Sequence, residues 1–249
     1  MDTKTVIARL ERSLRAIAIP ERAVNEKRYL KSDLAFIGVP VPQVRNIARE
    51  FKSANKALSR EDLIALVEAL WARPTHELHV LALDLLWMYR KLLKPGDIVL
   101  IERILRTSYT WAYVDTLAGH LVGELVLKHP ELHRTLDRWA TDTDFWLRRS
   151  ALLALDRPMR AGQGDWPRFT RYADLMLEEK ELFIRKAIGW VLREVSKKRP
   201  ELVHDYLTAP RSKDGPARAK LASPLTVREA TRHMPPVMRD AILALRAGG

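Results

Sequence analysis

The chain has 249 residues, 47% of them hydrophobic, and its 43 Lys plus Arg against 31 Asp plus Glu leave a formal charge of +12. That length can bury a substantial core, and the basic excess favours a polyanionic partner, nucleic acid before an anionic membrane surface. The lack of cysteine excludes disulfide staples, thiolate zinc sites and thiol nucleophiles, and no run approaches the roughly 18 apolar residues of a membrane span.

In chain order, the stretch from Met1 to Arg12 reads as an amphipathic helix with acids, without the apolar core or cleavage site of a signal peptide. A cytoplasmic protein with no membrane partner is therefore expected. Arg28-Tyr29-Leu30-Lys31 follows as an aromatic and basic helix that either closes over a duplex or caps the fold. Ser59-Arg60-Glu61-Asp62 is a helix start, with Ser59 as the cap. Beyond it, apolar residues recur at i, i+3, i+4 and i+7, as in Leu63-Ile64-Leu66-Val67-Leu70-Trp71 and again from Leu81 to Tyr89. Glycines number only 10, period-two alternation is scarce, and prolines such as Pro20, Pro40, Pro200 and Pro224 open or end helices. The fold class is all-α.

Five helical segments align, beginning at Leu78, Trp111, Leu147, Ile184 and Val227, with spacings of 33, 36, 37 and 43 residues. A pair of antiparallel helices per unit fits that interval, as in a HEAT-like repeat solenoid, an α-α superhelix with a concave basic face. An irregular helical bundle is the alternative. The expected organisation is one domain over residues 1-249, with an N-terminal helical cap to about residue 55 and repeats from about residue 56. Arg160 to Pro167 reads as a loop whose Gly162-Gln163-Gly164 is no phosphate loop, because no strand precedes it and no Gly-Lys-Ser/Thr follows. Thr208 to Lys220 reads as a polar, solvated basic linker.

Candidate chemistry narrows to a few clusters. His129 and His133 are spaced i, i+4 but lack a third ligand, so no metal site is expected. Trp111 and Asp115 share a helical face four residues apart; periodicity alone makes the first a core indole and the second a solvated acid. The adjacent Arg148 and Arg149 cannot both face a core; they read either as a phosphate grip or as a solvated pair. Trp190 and Arg193 share a face, with Gly189 expected to leave open space beside the indole, although periodicity alone makes Trp190 a core residue.

These residues resemble the AlkD family of bacterial DNA glycosylases. The resemblance runs over about residues 20 to 235 and rests above all on Arg185-Lys186-Ala187-Ile188-Gly189-Trp190-Val191-Leu192-Arg193-Glu194. Trp111-x-x-x-Asp115, Trp146-Leu147-Arg148-Arg149, Tyr29, Phe36-Ile37-Gly38 with Pro42 and Arg45, and Leu70-Trp71 through Glu77 to Asp84 support it. It implies an enzyme, acting as a monomer on duplex DNA, that removes N3-methyladenine and N7-methylguanine without base flipping, metal or cofactor. It also implies Asp115 as the catalytic carboxylate, Trp111 and Trp190 as indoles against the sugar, and Arg149, Arg148, Tyr29, Arg45 and Arg193 as DNA contacts. Two departures stand out. The family often reads Trp-Asp-x-Val-Asp where this chain has Ala112, and a small polar residue often precedes the proline where this chain has Val41. A non-catalytic HEAT-like DNA-binding or scaffold protein is the competing reading, and an adaptor for an acidic protein is the third.

Overall fold

The computed structural model describes residues 1-160, 162 and 164-247. Among them the chain is helical throughout, its only β-bridges being isolated ones at Ala35 to Thr75 and Pro210 to Ala217. No helix of the described residues is long and apolar enough to cross a membrane. Two compact units divide the chain, one covering Met1–Thr116 and the other beginning at Leu117.

The first unit comprises α1 (Thr3–Arg15), α2 (Pro20–Leu30), α3 (Val41–Ala54), α4 (Arg60–Trp71), α5 (His76–Met88), α6 (Ile98–Arg106) and α7 (Trp111–Thr116). The start of α4 follows from its cap: Ser59 Oγ accepts from Asp62 N at 3.0 Å and donates to the Asp62 carboxylate at 2.9 Å. Helix α5 is the centre of this unit. It packs against α3, α4 and α7, so residues such as Leu78, Leu81, Ala82, Leu85 and Leu86 are fully buried. Because α3 packs on α5 and α1 on α4, the N-terminal helices share that core. Helix α2 differs in burying no residue completely.

Buried polar groups fix how the loop before α3 meets α5. Glu77 is fully buried, and its two carboxyl oxygens accept from the backbone N–H groups of Ile37 at 2.9 Å, Gly38 at 2.6 Å and Val39 at 3.1 Å. Gly38 has φ +89°, and a Cβ there would lie 2.1 Å from the Ile19 carbonyl oxygen, so the turn requires glycine. Beside it, His76 stacks on Phe36 at 4.5 Å and shares a 2.6 Å hydrogen bond with the Tyr113 hydroxyl. Burial pulls the His76 imidazole down to about 4 and pushes the Tyr113 phenol up.

The second unit opens with a π-turn, Leu117–Val122, and continues through α8 (Gly123–Lys128), α9 (His133–Trp139), α10 (Phe145–Leu153), α11 (Asp156–Arg160) and α12 (Trp166–Met176). Then come α13 (Leu182–Ser196), α14 (Pro200–Thr208), α15 (Arg218–Leu221), α16 (Pro224–Thr231) and α17 (Pro236–Ala247). Its long helix α13 lies between α10 and α16 and contacts both. The five segments aligned by sequence therefore fall on α5, α7, α10, α13 and α16, and within each unit these helices stack on their neighbours as a helical-repeat fold requires.

Three local expectations change. Helical periodicity runs through residues 111 to 122, yet α-geometry stops at Thr116 and the π-turn follows. Gly189 opens no space: a Cβ there would lie 2.8 Å from Glu229 Cβ and 3.1 Å from the Thr226 carbonyl, so this glycine permits the close approach of α13 and α16. The segment from Thr208 to Lys220 is tied down at Arg218, which holds both oxygens of Asp174 at 2.7 and 2.8 Å. The Gly-Gln-Gly reading at residues 162 to 164 includes Gln163, which lies outside the described residues.

Replacing Glu77 with alanine leaves three buried N–H groups without their acceptor. It should destabilise the first unit by about 3 kcal/mol or more, read as a lower urea midpoint, with Gly38→Ala acting in the same direction through the same turn. A second expectation concerns pH. The folded state holds the His76 affinity for protons below its ordinary value of 6.5, so its contribution to stability is complete above that value. It is lost as pH falls from 6.5 towards 4. The urea midpoint should drop across that window, and His76→Gln should flatten the drop.

Candidate active site

In the first unit the site is organised by α7, a short helix with two unlike faces. Tyr113 and Val114 point into the core, Tyr113 only 2% exposed, while Trp111, Ala112, Asp115 and Thr116 are half-buried. The i, i+4 spacing thus puts the indole and the carboxylate on the face left open. Trp111 is no core residue, against the reading from periodicity alone. The helix begins at Trp111 itself, after Tyr109 in a left-handed conformation with φ +49°. Its N-terminal support is slight: Thr110 Oγ1 accepts from Ala112 N at 3.4 Å, and no acid occupies the first turn. An acid at position 112 would face the positive end of the helix dipole; alanine gives up that stabilisation.

Tyr29, at the end of α2, meets Trp111 edge to face with ring centres 6.2 Å apart, and it is 71% exposed. Arg45 of α3 donates from Nε to Asp84 of α5 at 3.3 Å and leaves much of its guanidinium in solvent. Tyr29, Arg45, Trp111 and Ala112 border one cavity of about 200 Å³. The first unit thus assembles four sequence-selected positions around a single space. The register of α7 is held by the Tyr113 to His76 hydrogen bond and by Trp71, whose ring stacks on His79 at 4.1 Å and meets Tyr113 edge to face at 5.4 Å.

The second unit holds the other candidates. Asp144 caps α10, accepting from Trp146 N at 2.8 Å. Arg148 then turns inward: Nε and one terminal nitrogen hold the two oxygens of Glu179, each at 2.9 Å, and the other donates to the carbonyls of Asp142 and Thr143. That geometry makes Arg148 a tie between α10 and the segment before α13. Arg149 is 3% exposed and donates to the Phe183 carbonyl, with its guanidinium 5.8 Å from the Phe183 ring centre. On α13, Trp190 is 37% exposed and Arg193 lies 5.6 Å from its ring centre. Arg193 also binds Glu229 of α16 at 2.6 Å.

Sequence reasoning missed the acids that pair with these arginines. Asp84, Glu179 and Glu229 lie 39, 31 and 36 residues after the arginines they bind, with no local signal. Those separations are close to the repeat interval, which is the only clue the sequence carries. His129 Nδ1 lies 3.6 Å from a Glu131 carboxylate oxygen, and among the described residues no cluster of three or more His, Asp or Glu is placed to hold a metal.

Comparison with known proteins converges on one family. The family model described as DNA alkylation repair enzyme matches residues 10–234. A solved structure described as a predicted DNA alkylation repair enzyme from Enterococcus faecalis is 24% identical, spans 88% of this chain and 97% of its own, and superposes with a TM-score of 0.76. AlkD2 from Streptococcus mutans is 16% identical over 94% of this chain and 99% of its own, with a TM-score of 0.63. At those identities the two structures establish the shared helical fold. No curated protein matches the chain. The family match over nearly the whole sequence, in agreement with the AlkD resemblance of its motifs, shows that the chain belongs to the DNA alkylation repair enzyme family.

Proposed function

We propose that this protein is a DNA glycosylase that hydrolyses the N-glycosidic bond of cationic alkylated purines, N3-methyladenine and N7-methylguanine, in duplex DNA without turning the base out of the helix. The observation that carries the reading is α7: an indole and a carboxylate one turn apart on a half-exposed face, in a chain whose family repairs alkylated DNA.

Alkylation gives the purine a positive charge, so the bond from the sugar carbon to the ring nitrogen already has a good leaving group. When it breaks, its electron pair stays with the purine and neutralises it, and positive charge develops on the sugar. Asp115 stabilises that oxocarbenium-like centre and positions the water that attacks it; the water gives up a proton to bulk solvent as the new C–O bond forms. Trp111 presents an indole to the same charge, and Trp190 of the second unit is assigned the same role by its motif. Each cation–π contact contributes about 0.5–2 kcal/mol, so the carboxylate dominates and the indoles assist. Arg149 is assigned to a phosphate beside the lesion, and Tyr29, Arg45 and Arg193 to the DNA backbone. Arg148, bound on both edges, is proposed to position α10. The protein acts as a monomer, and the chemistry as written uses no metal or cofactor.

Asp115→Asn should lower release of N7-methylguanine from methylated duplex by about 100-fold or more, with duplex binding retained. Trp190→Ala should lower it by about tenfold, the order of one cation–π contact. If the wild-type chain releases no alkylated base but binds duplex with a steep salt dependence that Asp115→Asn leaves unaltered, the non-catalytic DNA-binding reading replaces this one.

A further inference from the structure

The hydrolysis above gives no role to Tyr113, although it lies two residues from both Trp111 and Asp115. Tyr113 is 2% exposed, and its ring centre lies 5.4, 5.5 and 5.6 Å from those of Trp71, His76 and His79. Its hydroxyl meets His76 Nδ1 at 2.6 Å. Burial pulls the imidazole down to about 4 and pushes the phenol up, so at neutral pH two uncharged groups share that bond. His76 is fixed from two sides. Its backbone N–H donates to the Ala35 carbonyl at 2.9 Å, and its ring stacks on Phe36 at 4.5 Å. The neighbouring Glu77 holds the N–H groups of Ile37, Gly38 and Val39, so the imidazole stands on a tied loop.

The front of α7 gives Trp111 less support. Its ring meets Tyr29, which is 71% exposed on a helix that buries no residue completely. The six residues of α7 start after a left-handed Tyr109 and pass into the π-turn at Leu117. Side-chain tips stand about 5–6 Å from a helix axis, so a rotation of about 20° carries them through about 2 Å. A displacement of about 1 Å at a reacting centre can cost about 100-fold in rate. A hydrogen bond opposes such a rotation more sharply than apolar packing does, because it weakens steeply with angle.

We infer that Tyr113 and His76 are a positioning pair: their buried hydrogen bond fixes the rotation of α7, and with it the aim of Trp111 and Asp115 at the glycosidic bond. Both are buried, so they act through α7 and not on the substrate. The effect on turnover rests on the proposed function; the effect on the orientation of Trp111 does not.

The test is single-turnover excision of N7-methylguanine with the full-length protein in excess, each variant assayed below its thermal transition. That rate constant is insensitive to a smaller folded fraction, and duplex affinity is measured beside it. Tyr113→Phe keeps the ring and removes the hydroxyl. It should slow excision by about tenfold and leave duplex affinity unchanged. His76→Leu should do the same, whereas His76→Asn, which puts a polar atom where Nδ1 stood, should recover most of the rate. Tyr113→Phe combined with His76→Leu should lose no more than either alone, as one shared bond requires. Orientation is read from the fluorine resonance of Trp111 in fluorotryptophan-labelled protein, assigned through Trp111→Phe. It should move in Tyr113→Phe and His76→Leu and return in His76→Asn. A wild-type rate in Tyr113→Phe, losses that multiply in the double variant, or a Trp111 resonance that stays in place overturns the inference. A wild type without excision sinks the glycosylase reading instead, and the Trp111 resonance then decides this inference alone.

Discussion

A repeat helix cannot cover its own apolar face, and the rest of this structure depends on how successive helices do it for one another. In the second unit α13 is covered by α10 on one side and α16 on the other; in the first, α5 is covered by α3 and α4. Between segments about one repeat apart run arginine–carboxylate pairs. Arg45 with Asp84, Arg60 with Asp97 and Arg103 with Glu68 occur in the first unit. Arg148 with Glu179, Arg160 with Glu194, Arg193 with Glu229 and Arg218 with Asp174 occur in the second. Pairs that remain partly solvated contribute about 0–1 kcal/mol each, so their main effect is on register: a helix slipped by one residue would strand the acid.

That use of arginine changes what the positive charge means. A charge of +12 suggests a surface rich in free cations, yet several of the arginines that the motifs single out are held by acids inside their own unit. The residues left facing solvent on α13 and α16 include Lys186 and Arg228, and Lys186 lies one turn before Trp190. A lysine beside a half-exposed indole supplies sequence-independent attraction for phosphate without the geometric demands of a bidentate arginine.

The fold was readable because it depends on periodicity and spacing. Ser59 as a cap, prolines at the openings of α2, α14 and α16, and five aligned segments that all fall on helices are local or near-periodic signals. The site was readable only as a resemblance of motifs, because its distinguishing features are not local. Nothing around Trp111 announces that Tyr113, two residues on, will anchor to His76 and leave the indole half-exposed. Nothing around Gly189 distinguishes a gap beside a tryptophan from a helix crossing closed by Thr226 and Glu229. The tie made by Arg148 was invisible for the same reason: its partner lies 31 residues away, and adjacent arginines read from sequence as phosphate ligands or as a solvated pair.

Ala112 shows how a single departure from the family pattern can be absorbed. An acid at that position would stand in the first turn of α7, favourable to the helix dipole but close to the Asp84 and Glu26 carboxylates at the same cavity. Alanine removes that repulsion and shortens the side chain at the cavity wall. The cost is a helix start held by little more than Thr110, and the compensation lies on the opposite face, where Tyr113 and Val114 are buried. The position of the Trp111 and Asp115 face is therefore set from behind, by packing against α5, and not from the helix end. The placement of that face does not depend on an acid at 112 so long as the contacts of Tyr113 with His76 and Trp71 remain.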